Sequence, residues 1–372
     1  MPDNRIFDLA LLFVSGLGDI NAKKLITAVG SAENIFNLKL KDFLRIPGFG
    51  QQKAESIILS LDASLQRAKE EELYCAANEI NYVCYTEDDY PQKLKECPDA
   101  PLVLFYKGKS DFNKSKILSI VGTRSATRYG VEFTENLVKN ISENYPDCVI
   151  VSGLAYGIDI SAHKSALKYG LETWAVLGHS LEYIYPVSHE KIAKKIIESD
   201  GLLLSDYPHK SKIDPSNFAK RNRIIAGLCD ALVVVESGEK GGAIITANIA
   251  NHYNKDVFAV PGNINEPYSK GCNKLIKTNR ANLIESLDDI EYIMNWKSKS
   301  EKITQQKLNF IEPLNQNETK VFEVLKNYEY LDIDNILRQT ELDSDLLSLT
   351  LLEMEFKGII KALPGKIFTL KL

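Results

Sequence analysis

From Leu102 onward the chain alternates short apolar, β-branched runs with longer runs whose apolar positions return every three or four residues. LVLFYKG (102–108), KILSIVG (116–122), CVIVSG (148–153), TWAVLG (173–178), GLLLSDY (201–207), ALVVVES (231–237) and DVFAVPG (256–262) read as strands. RYGVEFTENLVKNISE (128–143), GIDISAHKSALKYG (157–170), SHEKIAKKIIES (188–199), RNRIIAGLC (221–229), GGAIITANIANHY (241–253), CNKLIKTN (272–279) and SLDDIEYIMNW (286–296) read as helices. Strands that are apolar on both faces and alternate with helices predict an α/β fold with a mostly parallel sheet. Ligands of such sheets sit at the carboxyl ends of the strands.

The flanks follow other periods. Residues 1–70 read as an all-helical domain with two glycine turns, Val14-Ser-Gly-Leu-Gly18 and Ile46-Pro-Gly-Phe-Gly50, each opening a helix. The pair resembles the helix-hairpin-helix element, whose glycine turn offers backbone amides to a DNA phosphate. Asp19 departs from that pattern in the first copy, and a purely packing role for both hairpins stays open. The sheet domain spans 71–296, with a short strand at 82–87 before its main repeat. Residues 297–315 read as a polar linker. Residues 316–372 read as three helices and a hairpin around Pro364-Gly365, a winged helix. Its third helix carries Asp343, Asp345, Glu353 and Glu355, which suit a phosphate-lined groove poorly. Lys357, Lys361 and Lys366 leave a backbone contact by the wing open.

Charge narrows the function. The net charge is −5, and residues 312–372 hold 11 acidic and 7 basic side chains, or −4. The first 311 residues are therefore near −1, so any nucleic-acid binding must come from a local patch. The six cysteines show no metal spacing and fit reduced thiols in a cytoplasm. No apolar run approaches the ~20 residues that span a bilayer, so no membrane partner is expected.

Three glycine-punctuated runs carry the candidate chemistry: VGTRSATRYG (121–130), VSGLAYGIDISAH (151–163) and FAKRNRIIAG (218–227). The first two follow strands and open helices, where freed amides seat an anion. Arg124, Arg128, Arg221 and Arg223 put fixed positive charge beside these turns, with Lys164 and Lys220 as further cations. Gly153, Gly157, Gly241 and Gly242 read as close-approach or left-handed positions, with tight strand-to-helix packing also open for Gly157, and Gly122, which ends the strand before Arg124, is a further DNA-binding candidate. Asn222 is a DNA-binding candidate whose other reading is a helix cap, and Thr246 falls at the same mouth. Tyr156 is either a base-stacking or a packing residue, Asp159 a helix cap, and His163 a core or surface histidine.

These runs, with AVLGHSLEYIYP, LLLSDYP, VVVESGEKGGAIITANIA, FAVPG and GCNKLI, resemble the DNA-processing protein A (DprA, or Smf) family over roughly 100–290. The resemblance implies a Rossmann-like core between a helix-hairpin-helix (SAM-like) domain and a winged helix. It implies single-stranded DNA as ligand and RecA recombinase as partner. The role implied is protecting incoming DNA and loading RecA in natural transformation. It also implies a homodimer through Leu275, Ile276, Leu283 and Ile284, whose other reading is core packing. Three positions depart from the family pattern: Tyr156, where a lysine is common, Val187, where a basic residue is common, and His189, where an asparagine is common. No cofactor, metal or catalytic residue is expected. There is no Walker loop and no dinucleotide glycine pattern after the first strand of the repeat. The alternative is a nucleotide phosphoribohydrolase using Glu236 or Glu239, although Ala243 and Ile244 replace the Gly-Thr pair its loop would carry.

Overall fold

The computed structural model describes residues 5–296 and 314–370, apart from Glu329 and Pro364. Most of the expected linker, 297–315, lies outside the described residues. The chain divides into two compact units, Met1–Glu301 and Lys302–Leu372.

The first unit is built on a nine-stranded sheet. Its strands are β1 (Asn81–Cys84), β2 (Val103–Gly108), β3 (Ile117–Val121), β4 (Val149–Ser152), β5 (Thr173–Val176), β6 (Leu202–Ser205), β7 (Ala231–Val234), β8 (Asp256–Ala259) and β9 (Asn282–Leu283). The order is β1-β2-β6-β5-β4-β3-β7-β8-β9. The segment from β6 to β9 is parallel throughout, and β1 and β2 close one edge antiparallel. Every residue of β3 to β7 is buried, which is why those runs are apolar without alternation. The chain runs outward from β3 through β4, β5 and β6, then returns to β7 on the other side of β3. That reversal opens a crevice at the carboxyl ends of β3 and β7.

The N-terminal helices share one apolar cluster with the sheet, in which Leu9, Leu25, Phe43 and Ile57 join Phe105, Leu177 and Leu203. The last of them is a single helix, Gln51–Ala77, so residue 70 falls within it. Its far half is pinned to the loop after β6: His209 N donates to Glu71 Oε1 at 2.9 Å, and Arg67 donates to the His209 carbonyl at 2.9 Å. The first glycine turn faces the sheet domain. Asp19 Oδ1 accepts from Leu102 N at 3.1 Å and Oδ2 pairs with Arg223 at 3.1 Å. The acidic residue that departs from a phosphate-binding hairpin is thus a docking residue. In the second turn Gly48 adopts φ +92° and a Cβ there would touch nothing within 4 Å.

The second unit is a winged helix. Helices Gln316–Leu325, Ile333–Thr340 and Ser344–Phe356 pack on strands Ile360–Leu363 and Ile367–Leu370 around Val321, Leu325, Leu351 and Met354. A third, two-residue strand, Leu331–Asp332, adds to the expected hairpin. Lys357, a candidate for backbone contact, holds the buried Glu318 carboxylate at 2.9 Å.

Candidate nucleic-acid interface

The crevice at the strand ends has a volume of about 380 Å³. Gly122, Thr123 and Arg124 line it from the loop after β3, and Ala155 and Asp159 from beyond β4. Phe218, Arg221 and Asn222 line it from the helix Pro215–Leu228, and Ser237, Gly238, Gly241, Gly242, Ala243, Ile245 and Thr246 from beyond β7. Its charged lining residues are two arginines and one carboxylate.

The two arginines do different work. Arg221 is 4% exposed. It donates to the Gly153 carbonyl at 2.8 Å and to the Val176 carbonyl, tying the ends of β4 and β5 to the helix. Burial pushes its pKa down to about 10, against the opposing field of Asp159. Burial also raises Asp159, and Arg221 pulls it back. Gly153 is required there: a Cβ would stand 2.7 Å from both the guanidinium and the Asp159 carboxylate. Arg124 is exposed, and its guanidinium lies 5.9 Å from the centre of the Phe218 ring. Among the described residues it forms no ion pair, so its charge is available to a ligand.

The expected helix start at RNRII lies elsewhere. The helix begins at Pro215, with Asp214 accepting from Ser216 N at 2.7 Å, so Arg221, Asn222 and Arg223 sit two turns inside. Successive helical residues point in different directions, which separates the two arginines. Arg223 turns away from the crevice, pairing with Asp206 at 2.6 Å and Asp19 at 3.1 Å. Lys220 lines the hollow beside it. Arg128 points to solvent, paired with Glu132 at 2.6 Å. These three belong outside the crevice. Lys164 lines a groove between helices Arg128–Asn144 and Ile158–Lys168 that meets the crevice at Arg124.

The helix ends also sort themselves. After β3 the amide seat is filled: Glu236, 4% exposed, accepts from Thr127 N at 2.8 Å and from Thr127 Oγ1 at 2.5 Å. A carboxylate of the protein occupies the place where a dinucleotide pyrophosphate would sit, which corrects the reading of the first glycine run as an open phosphate seat. The helix Gly242–His252 has no side-chain cap and no acidic residue in its first turn, so its amide end faces the crevice open. Gly122 and Gly157 serve close packing. A Cβ on Gly122 would meet Ile158 at 2.4 Å, and one on Gly157, at φ +77°, would meet the Thr123 carbonyl at 2.1 Å. Thr246 lines the crevice, buried, with its hydroxyl on the Gly242 carbonyl.

A model of the DNA recombination-mediator protein A family matches residues 81–295, the whole of this sheet and its crevice. The chain belongs to that family. A SAM-like helix-hairpin-helix tandem matches residues 8–63 and a DprA winged helix domain residues 311–366. Protein Smf of Synechocystis sp. is 37% identical over 272 residues, 72% of this chain and 67% of that protein. Protein Smf of Escherichia coli is 31% identical over 310 residues, 81% of each. The X-ray structure of DNA processing protein A from Streptococcus pneumoniae superposes with a TM-score of 0.65 at 33% identity, covering 78% of this chain and 98% of that one. DNA processing protein A from Helicobacter pylori, solved for its single-stranded DNA binding mode, gives 0.51 at 29% identity, covering 58% and 96%.

Several features of this DprA-family chain escape sequence reasoning or correct it. Phe218 forms one wall of the crevice. Its signal was present, since 218, 221–222 and 225 share one helix face. Glu236 caps a helix, and Glu239 is exposed and pairs with Lys274 at 2.7 Å, so neither carboxylate is presented to the crevice. His163 is fully buried, its Nδ1 2.7 Å from Thr173 Oγ1, and burial pushes its pKa down to about 3. Tyr156 is half exposed and is not among the residues that line the crevice; its hydroxyl accepts from Ser188 Oγ at 3.2 Å. Leu275 and Ile284 are 3% and 0% exposed, packed inside the unit's own core, so they offer no surface to a second copy. Ile276 is half-buried, and Leu283, on the edge strand β9, is 43% exposed.

Proposed function

We propose that this chain binds single-stranded DNA in the crevice and performs no chemistry on it. In this reading it protects incoming DNA and helps load RecA during natural transformation, in the cytoplasm, as a homodimer whose contact includes Ile276 and Leu283. One observation carries the DNA part. The crevice joins an unpaired arginine (Arg124), an uncapped helix end at Gly241-Gly242 and an aromatic wall (Phe218), with Asp159 as its one carboxylate. Fixed cations and open amides hold phosphates, an aromatic face holds a base, and the combination suits a strand. Lys164 extends the cationic track beyond Arg124. Membership of the DprA family and the binding mode named for the Helicobacter pylori relative support this reading. RecA, transformation and the homodimer rest on the family alone.

Arg124→Ala with Lys164→Ala, both at exposed positions, is the test. Mobility shifts on a short oligo-dT over a salt series should show weaker binding. The slope in log K against log salt should fall by about 0.7 for each phosphate that no longer meets a cation. An unchanged slope and affinity would sink the assignment. Incubation with nucleoside monophosphates should release no free base; release at ordinary enzyme rates would overturn the non-enzymatic reading.

A further inference from the structure

We propose that the loop 184–189 carries a second base-stacking platform, outside the crevice and continuous with it. The inference rests on the single-stranded DNA reading above and adds to it a subsite and the side chains that form it. Tyr185 and Tyr156 are each 49% exposed and Val187 is 73% exposed. The Tyr185 ring centre lies 5.7 Å from that of Phe218, tilted by 49°, so the crevice wall runs on into the loop. Three residues along the same loop, Ser188 Oγ donates to Tyr156 Oη at 3.2 Å. The Tyr156 ring packs edge-on against His189 at 4.9 Å, and the buried His189 is itself fixed by Nδ1 donating to the Leu154 carbonyl at 2.9 Å. Tyr185 is anchored through its backbone N–H, 3.3 Å from His179 Nε2.

Both rings are thus half exposed and held by neighbours, Tyr156 through its hydroxyl and its edge contact with His189, Tyr185 through its ring contact with Phe218. Exposed aromatics scattered singly need no explanation. Rings immobilised by second contacts, and joined to a cationic crevice through a shared wall, form a preordered surface. Its occupant is the next base of the strand seated in the crevice, because Phe218 borders both. Every base has a π-face, so the platform reads no sequence.

The experiment uses the full chain with three forms: unchanged, Tyr156→Ala with Tyr185→Ala, and Tyr156→Phe with Tyr185→Phe. The probe is a short oligo-dT carrying one 2-aminopurine, followed by anisotropy and by fluorescence quenching. The alanine form should bind at least about tenfold more weakly, while its slope of log K against log salt stays that of the unchanged chain, since a stacked base releases no counterions. The phenylalanine form should keep both affinity and quenching. That form also controls for folding, because it retains the rings and loses only the hydroxyls. If the alanine form binds like the unchanged chain, the platform is refuted and the crevice stands. A changed salt slope would make these residues phosphate contacts and likewise overturn it. If the unchanged chain fails to bind oligo-dT, the DNA reading itself falls and the platform with it.

Discussion

Replacing Glu236 tests whether the helix end after β3 is closed to anions. Its carboxylate holds Thr127 N at 2.8 Å and Thr127 Oγ1 at 2.5 Å, while its backbone carbonyl, which substitution leaves in place, holds Thr123 N at 2.7 Å. Each bond to a charged acceptor contributes ~1.5–3 kcal/mol, and negative charge at a helix start adds ~0.3–1 kcal/mol. Relief of the buried charge's desolvation offsets part of that sum. Glu236→Ala should therefore cost about 3 kcal/mol, several degrees in Tm, and Glu236→Gln, whose amide oxygen accepts from Thr127 N while its NH2 donates to Thr127 Oγ1 without the charge, about 1 kcal/mol. The alanine form should also gain a property. Its vacated seat keeps the Thr127 amide and the room that Gly130 provides, where a Cβ would stand 2.4 Å from Glu236 Oε2. Phosphate should then raise the Tm of Glu236→Ala more than that of the unchanged chain, growing with concentration as a bound ligand requires. Thermal melts of the three proteins in matched chloride and phosphate measure both effects. An alanine form as stable as the unchanged chain, or an equal phosphate gain in both, would refute the reasoning.

Arg221→Ala should destabilise by about 3–5 kcal/mol in urea unfolding, because it frees two buried carbonyls and leaves Asp159 buried without its opposing charge. Its loss of DNA binding would then report folding rather than contact, unlike that of Arg124→Ala. Asp8 is raised from 3.8 to about 6 by burial. Between those values the folded chain keeps a proton that the unfolded chain has lost, so this group's contribution to stability falls as pH rises through the window. Asp8→Asn should accordingly be about 2 kcal/mol more stable at neutral pH and show no gain below the lower value, by denaturant melts at each pH. Leu275→Glu should unfold the chain, whereas Leu283→Glu should stay folded and shift sedimentation toward monomer. A folded Leu275→Glu protein would contradict the burial at that position.

Much of the architecture is local in origin. The runs of β3 to β7 are apolar at every position because both faces of a parallel sheet are covered, and that pattern is visible without neighbours. The cap at Asp214-Pro215 is equally local, and it sets the start of the arginine helix two turns before RNRII. The site was less legible. Four arginines stand beside glycine turns in the sequence, and no local signal separates Arg124, free at the crevice, from Arg221, buried under two carbonyls. Nor does any separate it from Arg223 and Arg128, which are paired with carboxylates.

The sequence by itself determined which segments become strands and helices, the helical flank, the winged helix, and the stock of cations near the strand ends. The tertiary structure decided the strand order, hence where the sheet reverses and opens. It also decided which charges remain unspent there: Asp19 and Asp206 consume Arg223, and Glu236, far along the chain, closes the helix start at Thr127. The physical reason is that a residue's charge belongs to its own side chain. Its availability to a ligand depends on the partners and the burial that folding brings to it.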